Sequence, residues 1–346
     1  MGRRIAFVMV IAVVAALIGG PAWACGGLVA PNGTISLLRT ATLAAYHDGT
    51  EHYVTSFEFA GKGAKFGSIV PLPGIPSDVK RAGDWTLQRL QQEVQPVRRD
   101  LFSFRSGNAT VALEQAEVIL ETEIDALDIT VLKGGADEVG VWAKANGFQL
   151  PPDAPAVLKF YAERSPIFMA ARFDLDRARE LGRGNGDGIP IHLTIPTDDP
   201  WVPLRILALG RQPNELVQAD VFLLTDAAPS LLPAPQNEGF VLDRSEPASQ
   251  ALLADLRSDR GMKWLPADGM VLSYLKIDTP ARELTHDLAI DETGLGTPSF
   301  VDAGLLRPAE PYVPSASVPW QLWAVAAAMG LGLVLFLAWG PTRWAA

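Results

Sequence analysis

Two long apolar runs stand near the ends of this chain, and between them the apolar positions recur with short, changing periods. Ile5 to Ile18 follows the basic pair Arg3 and Arg4 and precedes Ala22-Trp23-Ala24, the layout of a secretory leader with a small-x-small cleavage site. Residues 1–24 are expected to be a signal peptide, so that the mature chain starts at Cys25. In the second run, Trp320 to Trp339, Gln321 is the only strongly polar side chain. Twenty residues at about 1.5 Å each span about 30 Å, the thickness of the hydrocarbon layer of a bilayer. A core helix of a soluble domain needs a polar face, and this run has none. It reads as one C-terminal transmembrane helix. Trp320, Trp323, Trp339 and Trp344 would sit at the membrane interface, and Arg343 in the tail 340–346 favours a cytoplasmic C-terminus.

Between the runs the pattern alternates between period 2 and helical spacing. Ile35 to His47 and His52 to Ala60 read as strands joined by a turn at Asp48-Gly49, followed by Phe66 to Val70. Asp84 to Val94 has the spacing of a short amphipathic helix. Strands are expected at Val118 to Thr122 and Ala126 to Leu132, then a helix that starts at Asp137 and stops at Asn146-Gly147, and a second helix from Ala154 to Glu163. Further strands are expected at Ile167 to Phe173, Pro190 to Ile195, Leu204 to Leu209, Gln218 to Leu224 and Met270 to Ile277, with a helix at Gln250 to Asp259. Asp226 to Glu246 shows little periodicity and reads as a long loop or a domain seam. The expected fold class is α+β, a mainly antiparallel or mixed sheet with interspersed short helices, occupying residues 25–306. Arg307 to Pro319 carries four prolines and is expected to be an extended stalk, on the order of 40 Å if wholly in the polyproline conformation.

Charge narrows the partners. The chain has 29 basic and 39 acidic residues, a net charge of −10. Such a surface repels nucleic acid, so no nucleic-acid partner is expected. The expected partners are the membrane, through the C-terminal helix, and a protein of the envelope. Cys25 is the only cysteine, which excludes an intrachain disulfide and leaves stability to packing. Standing directly after the cleavage site, Cys25 is also a candidate for lipid attachment.

Several stretches resemble a known family. Cys25-Gly26-Gly27-Leu28-Val29-Ala30-Pro31, the hairpin around Tyr46-His47-Asp48-Gly49, Ile69-Val70-Pro71-Leu72-Pro73-Gly74, Ile129-Thr130-Val131-Leu132 and Pro203-Leu204-Arg205-Ile206 are similar to the bacterial domain of unknown function 2330. The resemblance implies an exported bacterial protein. That family has no assigned activity, so the resemblance transfers no catalytic residue and no cofactor.

Candidate chemistry is sparse. Ser273-Tyr274-Leu275-Lys276 has the S-x-x-K spacing of penicillin-interacting serine enzymes, which requires a helix, and here it falls in an expected strand. His47 and His52 flank the Asp48-Gly49 turn and are the weak candidates for a metal site, while His192 and His286 look isolated. Asn185-Gly186-Asp187-Gly188 is similar to a calcium loop but lacks its first and last ligands. The reading that follows is a tethered extracytoplasmic binding module, with an envelope-acting hydrolase as its alternative.

Overall fold

The computed structural model describes residues 40–57, 66–94, 118–181, 189–235, 239–307 and 309–314, with the backbone of 27–29. Residues 1–313 form one compact unit and 314–346 another, of which only Pro314 is described. The expected signal peptide, Cys25, the calcium-like loop at 185–188 and the segment from Trp320 to Trp344 lie outside the described residues. Among the described residues no helix is long and apolar enough to cross a membrane.

The fold is sheet-rich with a few short helices, an α+β architecture. Its frame is a seven-stranded sheet. In spatial order it comprises β13 (Phe240–Pro247), β14 (Val271–Pro280), β11 (Leu216–Thr225), β2 (Thr40–His47), β3 (Thr50–Phe57), β9 (Ile189–Pro196) and β5 (Asp78–Arg81). The β11–β2 pair is parallel and the other pairs are antiparallel, so the sheet is mixed. The hairpin between β2 and β3 turns at Asp48 and Gly49, with φ of +49° and +71°. Two successive left-handed residues match the twist of the flanking strands, as the Asp-Gly pair predicts.

Both faces of this sheet are covered. On one face, Ala41, Leu43, Ala45, Val54, Phe222 and Leu224 pack against α1 (Thr86–Val94), α5 (Gln250–Ser258) and Met262 to Met270. On the other, Ala44, Tyr53, Leu193, Ile195 and Val221 join a larger core. That core takes in a second, five-stranded antiparallel sheet: β1 (Gly27–Val29), β4 (Phe66–Pro71), β8 (Ile167–Phe173), β7 (Leu127–Lys133) and β6 (Val118–Ile124). It also takes in α2 (Ala136–Ala145), α3 (Ala154–Ala162) and, through Ala178, α4 (Leu175–Glu180). Each aliphatic side chain sealed between such layers contributes roughly 1.5–3 kcal/mol relative to exposure.

Three expectations are corrected. Leu204 to Leu209 is not a strand: residues Arg205–Ala208 form a 3-10 turn. Its first N–H groups are held by side chains far along the chain, so no local signal marks it. The segment 226–246 is not a loop, since it contains β12 (Ser230–Leu232) and most of β13. A register shift between Leu242 and Arg244 breaks the alternation of β13 and hides it from a period-2 reading. Strands on both sides of this segment share the seven-stranded sheet, so 226–247 connects parts of one sheet.

The third correction concerns the stalk. Residues 309–313 do not all stand free: Tyr312 bridges Leu231 through N–H···O contacts of 2.8 and 2.9 Å. It thereby flanks a three-stranded sheet made of β10 (Trp201–Val202), β15 (Leu288–Asp291) and β12. The proline pattern predicts extended backbone and is silent on whether a strand edge captures it.

Candidate functional site

In the register of β3 with β9, His52 opposes Thr194 and Val54 opposes His192. Side chains two apart on a strand share a face, so both histidines emerge on the side covered by α1 and α5. There His52 Nδ1 and His192 Nε2 are 2.9 Å apart, with the rings tilted by 37°. The Trp264 indole lies flat on His52, with centroids 3.5 Å apart and planes within 3°. On the neighbouring edge strand, Lys80 opposes His192, and Asp78, ion-paired to Lys80 at 2.5 Å, opposes Thr194.

Burial is the main influence on the pair. It pushes His52 down to about 3, helped by His192, then by Lys80 and His47. It pushes His192 down to about 4, helped by Lys80 and opposed by Asp78. Both rings are therefore neutral at pH 7 and share one proton along the 2.9 Å contact. In either tautomer His192 Nδ1 stays buried without a hydrogen-bond partner among the described residues, as does Trp264 Nε1. Gly261, at φ +80°, stands beside His192 Nδ1; a Cβ there would lie 3.4 Å from it.

The spacing is that of a hydrogen bond. Two imidazoles on one tetrahedral ion, with metal–nitrogen bonds of about 2.0–2.1 Å, hold their nitrogens farther apart than this. His47 lies on the same face of the hairpin but turns to Asp226 at 2.9 Å and Asp48 at 3.4 Å. Among the described residues no group of three or more His, Cys, Asp or Glu side chains is placed to hold a metal.

Glu51 points to the opposite face of β3. It is fully buried, and neither carboxylate oxygen has a hydrogen-bond partner among the described residues. Burial pushes it up to about 8, opposed by the Trp201 backbone N–H. Glu51 is thus a neutral acid at pH 7. Its cross-strand neighbour Tyr46 donates to the Thr197 carbonyl at 2.9 Å.

A third buried group is saturated. Asp287 accepts from Tyr161 Oη at 2.8 Å, from the N–H groups of Leu204 and Arg205 at 2.8 and 2.9 Å, and from Arg164 Nη2 at 2.6 Å. The Tyr161 hydroxyl in turn accepts from the Ile206 N–H at 2.9 Å. These bonds fix the 3-10 turn, and the Arg164 guanidinium lies 3.7 Å from the Phe160 ring centroid. The carboxylate is a structural clamp with its donors already in place.

Ser273 and Lys276 lie on one strand with Ser273 buried and Lys276 exposed, and Ser273 Oγ is 2.9 Å from Ser245 Oγ. His192 looked isolated because its partner is 140 positions away. Glu51 stands near the same turn as His47 and His52, and the alternation of β3 predicts a strand with one buried face; its complete burial comes from packing on both faces of the sheet, which no local pattern encodes.

Comparison with known proteins supplies the remaining context. The superposition on a mutated baculovirus P35 after caspase cleavage has a TM-score of 0.40 at 8% identity, covering 73% of this chain and 98% of that one. Baculovirus P35 itself gives 0.38 at 10% identity, covering 75% and 97%. P35 in complex with caspase-8 gives 0.34 at 9% identity, covering 73% and 95%. Likenesses of this size carry no functional weight. No curated protein matches the sequence. A family model described as an uncharacterized protein conserved in bacteria matches residues 20–227, more than half of the chain and all strands from β1 to β11. The chain belongs to that bacterial family, the domain of unknown function 2330.

Proposed function

We propose that this protein is an exported binding module of the bacterial envelope, tethered by one C-terminal transmembrane helix at 320–339 with the main domain outside the cytoplasm. The leader-like residues 1–24 and the tryptophan-flanked apolar run support the address. The observation that carries the module is how the buried polar groups are used. Asp287 takes four donors, and His52 and His192 take each other beneath Trp264. Groups committed in this way shape a scaffold.

The alternative is a hydrolase acting on envelope material, and the His52–His192 pair is the acid–base group it would use. Affinity capture of the full chain from detergent-solubilised membranes, with wild type and His192→Ala compared, separates the two. A stoichiometric partner retained by both supports the module. Loss of hydrolysis of envelope polymer in His192→Ala, with folding intact, would replace it with the enzyme.

A further inference from the structure

Among the described residues, eight large apolar side chains are conspicuously exposed, and five of them lie between residues 295 and 313: Leu295, Phe300, Val301, Leu306 and Val313. Leu295 is 93% exposed and Leu306 fully so. They belong to the segment that leaves β15, packs Ala303 and Leu305 against Leu232 and Ala289, and returns through Tyr312 to the edge of β12. They are therefore carried by the three-stranded sheet, at the place where the chain leaves the domain.

The Leu231–Tyr312 bridge shortens the tether. Seven residues, Val313 to Pro319, separate Tyr312 from the apolar run, a reach of at most about 22 Å if all were in the polyproline conformation at about 3.1 Å per residue. A tether that short would keep the 295–313 segment near the headgroups. The stretch 291–313 holds Asp291, Glu292, Asp302 and Glu310 against Arg307 alone, a balance that disfavours anionic lipid. From the exposed residues, the bridge and the chain length, we infer that this loop docks on the neutral bilayer surface beside the tether, inserting Leu295, Phe300 and Leu306 at the level of the headgroups. This rests on the membrane-tethered reading above.

The test uses the full chain in a Cys25→Ser background, reconstituted into phosphatidylcholine vesicles doped with headgroup-level nitroxide lipid. A fluorescent label is placed singly at Leu295→Cys, Leu306→Cys, Val334→Cys or Ala254→Cys; Ala254 is exposed on α5, which covers the other face of the large sheet. The expected result is loss of emission at 295 and 306, none at 254, and quenching at 334 by a deep nitroxide. Replacing part of the phosphatidylcholine by phosphatidylglycerol should weaken quenching at 306 and leave 334 unchanged. Quenching at 334 with full emission at 295 and 306 overturns the docking and leaves the tether standing. Full emission at 334 removes the tether, and the docking with it. Energy transfer between copies labelled at 306, without lipid quenching, would assign the loop to a second copy and overturn the inference.

Discussion

His52 and His192, from two adjacent strands and 140 positions apart in sequence, share one hydrogen bond of 2.9 Å beneath an indole stacked 3.5 Å from the first ring. The bond needs an unprotonated acceptor nitrogen on one ring and burial keeps both rings neutral, so the pair ties the cohesion of this face of the sheet to pH.

The sign follows from linkage. Both histidines bind protons more readily in the unfolded chain, at about 6.5, than in the fold, at about 3 and about 4. Their contribution is complete above 6.5 and lost as pH falls through that window. Glu51 works in reverse: its pKa rises from 4.5 to about 8 on folding, so stability is lost as pH rises between those values. Of these three groups, the two histidines outweigh the glutamate below 6.5, and above it Glu51 acts alone. Urea midpoints measured from pH 4 to 9 should therefore peak near pH 6.5.

Glu51→Gln removes the alkaline half of that profile. The variant should be more stable than the parent at pH 8 to 9, and its urea midpoint should stay level above 6.5. An unchanged alkaline slope would show that Glu51 is already solvated in the fold.

Trp264→Ala uncovers His52. Equilibrium unfolding at pH 7 should show a loss of roughly 2–4 kcal/mol, near the lower range for a buried tryptophan because this one is only partly buried. Below pH 6.5 the variant should also lose less with each pH step, since a hydrated His52 titrates closer to its ordinary value.

Asp287→Ala strands Arg164, Tyr161 and two backbone N–H groups together. Removing one partner of a buried ion pair costs about 3–5 kcal/mol. Tyr161→Phe, which loses one bond on each side of the hydroxyl, should cost roughly 1–3 kcal/mol by the same denaturation experiment.

What the sequence discloses of this fold is its local part. Asp48-Gly49 announces the hairpin, and Asn146-Gly147 announces the end of α2, because left-handed backbone and helix stops depend on the residues that adopt them. The 3-10 turn at 205–208 depends on Asp287 and Tyr161, and β13 on a bulge against β14, so neither leaves a periodic trace. The candidate site was half legible. His52 stands beside a recognisable turn, but its partner His192 is set by β3–β9 register, which no single strand encodes. The capture of Tyr312 by Leu231 is likewise a strand-edge event hidden within a proline-rich stretch.

The address of the domain is tested most directly by adding protease to intact spheroplasts and following the chain with an antibody against its ectodomain. The tethered, outward-facing arrangement predicts that most of residues 25–319 is released while a short fragment containing 320–346 stays with the membrane. Full protection of the domain until the membrane is lysed would contradict it.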